Sequence, residues 1–198
     1  RPSTISRIRN LARPMRLVER VHELLTEKLS EGDLTVDATA GNGWDTAFLA
    51  SKVGSSGTVH AFDVQKEALE ATRKLLLERD LSQRVELHHC SHDQMAERLP
   101  AECHGEVAAI TFNLGYLPGG NKAVATKTGA TLVALRVALT LLRPRGLLTV
   151  VAYRGHIGGV EECEVVCREL ETIDVELAME GDLSPDATSP LLLVVRKG

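Results

Sequence analysis

No stretch of this chain approaches the ~20 consecutive apolar residues that a membrane-spanning helix needs, so no membrane partner is expected. No two cysteines form a C-x-x-C pair among the four present, Cys90, Cys103, Cys163 and Cys167. Cys163 and Cys167 sit four apart on a predicted helix, yet no second ligand pair at zinc spacing accompanies them. Free thiols in a reducing compartment are the expectation. A basic excess is missing too: 23 Lys and Arg stand against 27 Asp and Glu, a net charge of −4. Nucleic acid, if bound, must therefore meet a local patch and not a polycationic surface. Repeats and low-complexity segments are absent. His88, His89 and His92 cluster, but no acid–His spacing typical of a hydrolase surrounds them, and no metal is expected.

What remains is an ordinary globular composition, 43% hydrophobic and 25% charged. The 198 residues suffice for one α/β domain and not for two. Residues 1–16 carry Arg1, Arg7, Arg9, Arg13 and Arg16 and no acid, and the chain opens on Arg1, so removal of a preceding segment is expected. Such a stretch reads equally as the remnant of an organelle transit peptide, as a basic arm for phosphate, or as a solvated lead-in to the first helix. Residues 17–198 read as a single domain.

Strand-like and helix-like segments alternate through that domain. A helical period at Leu17, Val18, Val21, Leu24, Leu25 and Leu29 ends near Gly32. A strand over 34–37, a helix over 44–53, a strand over 58–62 and a helix over 66–81 follow. A strand over 85–89 and a short helix over 93–99 come next. The run 107–112 is apolar at nearly every position, as in a strand buried on both faces of a parallel sheet. A long helix over 126–142, the turn Arg143-Pro-Arg-Gly146 and a strand over 147–153 lead to a helix over 160–170. Residues 173–179 and 191–195 read as a closing antiparallel pair. This order predicts a doubly wound sheet whose ligands sit beyond the carboxyl ends of the strands.

Every suspicious residue falls on that edge. Leu34-Thr-Val-Asp37 rises to an acid and breaks into Gly41-Asn-Gly43, where glycines permit a sharp turn and a close approach to a ligand. The next strand ends on Asp63, about 20 residues past the loop, the spacing at which a carboxylate meets a ribose diol. A nucleoside-bearing cofactor is expected. The residue three after Gly43 is Thr46, which departs from the dehydrogenase pattern G-x-G-x-x-G. The buried strand at 107–112 runs into Asn113-Leu-Gly-Tyr116, then a Gly-Pro-Gly-Gly loop longer than a turn requires. The Asn-x-x-Tyr spacing resembles the Asn-Pro-Pro-Tyr motif of methyltransferases that act on amino nitrogens, with Leu114 and Gly115 in place of the prolines. In that motif the Asn oxygen and a backbone carbonyl accept from the target N–H groups and the ring packs on the base.

Taken together, Asp37-Ala-Thr-Ala-Gly-Asn-Gly43, Asp45-Thr, Phe62-Asp63, Phe112-Asn-Leu-Gly-Tyr-Leu-Pro-Gly-Gly-Asn-Lys122 and Tyr153-Arg-Gly-His156-Ile-Gly-Gly159 look like the tRNA 5-aminomethyl-2-thiouridine methyltransferase family, formerly described as rRNA methylases. The likeness runs from about Met15 to the C-terminus. Family members commonly carry His-Pro-Gly-Gly where this chain has His156-Ile-Gly-Gly159. The resemblance implies a Rossmann-like class I fold, a seven-stranded mostly parallel sheet with helices on both faces, and S-adenosylmethionine as cofactor. It implies N-methylation of the 5-aminomethyl group on wobble 2-thiouridine, with the tRNA anticodon stem-loop as partner and a homodimer as an assembly to test. Other RNA, or a small-molecule amine, is the alternative substrate class. The expected compartment is cytoplasmic, or a plastid or mitochondrion if the basic N-terminus is a transit-peptide remnant.

The residue roles follow from the same likeness. Thr39, Gly41, Asn42, Gly43, Asp45 and Thr46 form the cofactor loop, with Asp37 or Asn42 near the cofactor's amino group. Asp63 is expected at the ribose, Val64 or Gln65 beside the adenine, and His92 or Asp93 at the adenine amino group. Asn113 and Tyr116 would place the acceptor nitrogen, and His156 or Asp45 would take its proton. Arg16, Lys122, Lys127, Arg154 and His156 are the candidates for RNA phosphate or the base edge.

Overall fold

A computed structural model of the chain describes residues 5–7, 17–115, 127–184 and 187–198. Its strands are β1 (Ile5–Arg7), β2 (Leu34–Asp37), β3 (Thr58–Asp63), β4 (Val85–His89), β5 (Val107–Leu114), β6 (Leu142–Ala152), β7 (Glu176–Glu180) and β8 (Leu191–Arg196). The helices are α1 (Leu17–Lys28), α2 (Trp44–Val53), α3 (Lys66–Glu78), α4 (Met95–Arg98), α5 (Thr128–Leu141) and α6 (Gly159–Thr172). All strands join one sheet in the order β1-β7-β8-β6-β5-β2-β3-β4. Only β8 runs against its neighbours, pairing antiparallel with β6 and β7. Seven strands make the expected sheet. The eighth, β1, comes from the stretch read as a basic arm and pairs parallel with β7.

Alternation along the strands sends side chains to two cores. On one face Val36, Phe62, Ile110, Phe112 and Val150 pack under α4, α5 and α6. On the other, Val59, Ala109 and Val151 pack under α1, α2 and α3. β5 sits near the middle of the sheet and is buried along nearly its whole length, as an apolar run covered on both faces must be. Strand order reverses between β2 and β5, so the crevice beyond their carboxyl ends is the switch point of the sheet.

Several boundaries move by a few residues, and two of the shifts change an assignment. Asn113 lies within β5, paired with Val151 of β6, and not in the loop beyond it. The turn expected at 143–146 belongs to β6, which starts at Leu142 and shifts register against β5 there, with Arg145 in the left-handed region (φ 62°). Among the described residues no helix is long and apolar enough to cross a membrane.

Candidate active site

The loop after β2 is built on two left-handed glycines, Gly41 (φ 54°) and Gly43 (φ 83°). Gly41 donates its N–H to Asp63 Oδ2 at 2.9 Å, which ties the loop to the end of β3. Gly43 is bare for a reason beyond the one expected. A Cβ there would lie 2.8 Å from the Cα of Thr72, so the close approach it permits includes one between the loop and α3. Thr72 in turn donates its hydroxyl to the Gly41 carbonyl at 3.1 Å.

Asp37 and Thr46 are corrected as well. Both are fully buried, and Asp37 accepts from Thr46 Oγ1 at 2.6 Å and from the Thr39 N–H at 3.1 Å. They brace the loop from beneath, with no surface left exposed. Burial, and next the charge of Asp45, push the Asp37 carboxyl up to about 7. Thr39, Asn42 and Asp45 remain partly exposed at the cleft.

On the adenosine side, Asp63 is half-buried. Its Oδ1 accepts from the Gln65 N–H at 2.8 Å, and each carboxylate oxygen keeps a second lone pair for a further donor. Val64, 53% exposed, and the half-buried Gln65 stand beside it. His92 is buried with its ring tilted against Phe112 (centroids 5.6 Å apart), and burial holds its imidazole below the ordinary range. His92 Nε2 and Asp93 Oδ1 are buried polar atoms with no hydrogen-bond partner among the described residues. A buried acceptor left unpaired is costly, so a carboxylate oxygen here suits a ligand that brings an N–H donor, as an adenine amino group does. An unpaired carboxylate oxygen, beside an acid with spare lone pairs and a loop of backbone N–H groups, fits a nucleoside cofactor.

The other histidines of the cluster go elsewhere. His89 meets the Val64 carbonyl at 3.1 Å. His88 Nε2 lies 3.0 Å from His60 Nδ1, within hydrogen-bond reach, and burial lowers both imidazoles. With Glu86 these two bring one potential metal-ligand atom each within 4.8 Å of one another, a group that spacing along the chain conceals because His60 is on β3.

The acceptor side centres on Asn113. Its backbone N–H donates to Thr39 Oγ1 at 2.7 Å, joining β5 to the loop after β2. Its side-chain Nδ2 donates to Asp45 Oδ2 at 2.7 Å, and the other oxygen of Asp45 receives His22 Nε2, also at 2.7 Å. His22, on α1, lies flat on Phe48 with ring centroids 3.7 Å apart. Tyr153 stands at the end of β6, 38% exposed, its hydroxyl pushed up by burial and then by the charge of Asp45. Its N–H donates to the Leu114 carbonyl at 3.0 Å. His156 Nδ1 meets the Ile157 carbonyl at 3.0 Å, while a Cβ on Gly115 would lie 3.5 Å from His156 Nε2 and 3.3 Å from Tyr153 Cβ. Asn113, Asp45, Tyr153 and His156 are thus neighbours. Sequence reasoning missed His22, Phe48 and Tyr153. Tyr153 opens a noted motif and was within reach, but His22 lies just off an apolar helical stripe and carried no signal.

Among the basic candidates Arg154 is corrected. It is buried, donating Nε to the Ser189 carbonyl and Nη2 to the Asp182 carbonyl, both at 2.7 Å, and so it ties the segment before β8 to the end of β6. Lys127 is exposed where α5 begins. Arg16, Tyr116 and Lys122 lie outside the described residues.

Comparison with known proteins identifies the family of the chain. Residues 59–195 match the family described as "Putative rRNA methylase". A chloroplastic tRNA (mnm(5)s(2)U34)-methyltransferase of Arabidopsis thaliana is 42% identical over 156 residues, 75% of this chain and 56% of that protein. The chain therefore spans little more than half the length of that curated relative. A solved structure from Clostridium thermocellum, described as a "putative rRNA-methylase", superposes with a TM-score of 0.86 at 38% identity, covering 91% of this chain and 97% of the other. A Streptococcus mutans structure in complex with SAH superposes at 0.82 with 30% identity, covering 94% and 100%.

Proposed function

The chain belongs to the rRNA methylase family, and we infer from its site that it transfers a methyl group from S-adenosylmethionine to an amino nitrogen of tRNA. The finer reading is N-methylation of the 5-aminomethyl group of wobble 2-thiouridine in the anticodon stem-loop, which the activity named for the chloroplastic relative supports. The same relative favours the plastid among the compartments considered. The observation that carries the chemistry is the setting of Asn113. An ionised carboxylate can only accept, so the end of the amide facing Asp45 must be its NH2, and the amide oxygen is left to accept from an incoming N–H.

When bound, S-adenosylmethionine supplies its methyl group as a sulfonium, an electrophile that needs no further activation. The residues of the chain have two tasks, alignment and proton removal. Accepting one N–H at Asn113 Oδ1 turns the nitrogen lone pair toward the methyl carbon, for in-line attack. A primary alkylamine has a reference pKa near 10.4 and is mostly protonated at neutral pH, so the site must favour the neutral form. His156 suits the base: a carbonyl only accepts, so its Nδ1 carries the proton given to Ile157, and in the neutral ring Nε2 is the basic nitrogen, beside Gly115. Lys127, exposed where α5 begins, is the described candidate for a phosphate contact.

The test is mass spectrometry of nucleosides from tRNA bearing the 5-aminomethyl group, incubated with protein and cofactor, with tRNA lacking that group as control. Asn113→Ala should reduce turnover far more than cofactor affinity. Equal methylation of the control tRNA would move the target to another nitrogen, and near-normal turnover of the variant would remove Asn113 from the acceptor site.

A further inference from the structure

We propose that His22 is a positioning residue of the active site, which acts through Asp45 to hold the Asn113 amide in the orientation that receives the acceptor nitrogen. The proposal rests on the reading of Asn113 given above and extends it to a residue on α1 that no sequence motif marks.

The chain of contacts is short and directional. Asp45 offers two oxygens, one to His22 Nε2 and one to Asn113 Nδ2, each at 2.7 Å. A carboxylate cannot donate, so both partners must, and the imidazole carries its proton on Nε2. That requirement is met by neutral and by protonated His22 alike. The two donors pin the carboxylate from opposite sides. Asp45 opens the first turn of α2, next to Trp44, and its side chain is 13% exposed. With one donor removed, Asp45 gains freedom to rotate toward other donors or water, and the Asn113 amide loses the contact that decides which of its ends faces the cleft. Small misalignments of the reacting atoms cost rate and not binding.

The imidazole is itself immobilised by its stack on Phe48, with the rings 4° from parallel. Two roles are therefore superposed in one side chain, packing on Phe48 and donation to Asp45, and two substitutions separate them. His22→Phe keeps a flat ring for the stack and removes the donor. His22→Gln removes the ring and keeps an N–H donor of similar reach.

The experiment measures kcat, KM for aminomethyl-bearing tRNA, S-adenosylmethionine affinity and Tm for both variants, with Asn113→Ala in parallel. Positioning predicts that His22→Phe loses about tenfold or more in kcat, the value of one hydrogen bond to a charged group, with KM, cofactor affinity and Tm near wild type. His22→Gln should retain kcat within about threefold of wild type even where its Tm falls. The reverse pattern, with His22→Phe active and His22→Gln impaired, assigns His22 to packing alone and overturns the proposal. If Asn113→Ala itself turns over normally, the acceptor reading falls and the proposal with it. If Asn113→Ala is inactive while His22→Phe is not, only the role of His22 is refuted.

Discussion

Asp63 Oδ2 accepts the Gly41 N–H at 2.9 Å, so the acid expected at the ribose also anchors the glycine loop across from it. Its other oxygen accepts the Gln65 N–H. Asp63→Ala should therefore do more than weaken the cofactor. Cofactor affinity should fall at least about tenfold by calorimetry, one charge-assisted hydrogen bond or more. Two backbone donors lose their acceptor, which costs roughly 1–3 kcal/mol, or a Tm about 2–12 °C lower. Unchanged cofactor affinity would remove Asp63 from the site.

Gly43→Ala places a Cβ against the backbone of Thr72 and a side chain at positive φ. Overpacking and strain together should cost about 2–4 kcal/mol in urea unfolding. Gly129→Ala is the control: it lies in α5 with open space around the added carbon, and should leave stability unchanged or raise it by up to about 1 kcal/mol. Equal loss in both would show that the α3 contact is not what demands glycine at position 43.

Asp37 gives the protein a pH dependence of defined sign. Its folded pKa, about 7, lies above the 3.8 of an unburied carboxyl. The folded state therefore holds the proton more tightly. The resulting stability is fully present below pH 3.8 and is lost as pH rises through about 7. Asp37→Asn keeps a donor and an acceptor for Thr46 and Thr39 and cannot ionise. It should be more stable than wild type above pH 7, by on the order of 4 kcal/mol at most, with the gap closing toward pH 4. A difference in Tm that does not vary with pH would refute the assignment.

Arg154 and Lys127 should separate folding from RNA binding. Arg154→Met leaves two carbonyls without their charged donor and should cost about 2–3 kcal/mol, with tRNA affinity of the folded fraction unchanged. Lys127→Glu should leave Tm unaltered and weaken tRNA binding, with a shallower dependence on salt. Salt-independent binding would favour a small acceptor over RNA.

Local chemistry alone determined much of this. The almost wholly apolar 107–112 run, the Gly41-Asn-Gly43 break and the acid at Asp63 announced a doubly wound sheet and its cofactor edge, because strand burial, tight turns and strand-end acids each leave a local signature. Asn113 was legible as a candidate for the same reason. What only the tertiary structure decided is which neighbours each polar group meets. Asp37 and Thr46 looked like ligands of the cofactor, yet partner each other beneath the loop. Arg154 looked like a phosphate contact, yet is spent on two backbone carbonyls. Gly43 was read as bare for a ligand, and the fold adds that α3 also demands it. His22 looked like nothing, yet reaches Asp45 from 23 residues away because α1 and α2 pack on one face of the sheet. A residue's type and spacing announce what it can bind, but burial and the donors that folding brings within hydrogen-bond reach decide whether that capacity is still available to a ligand.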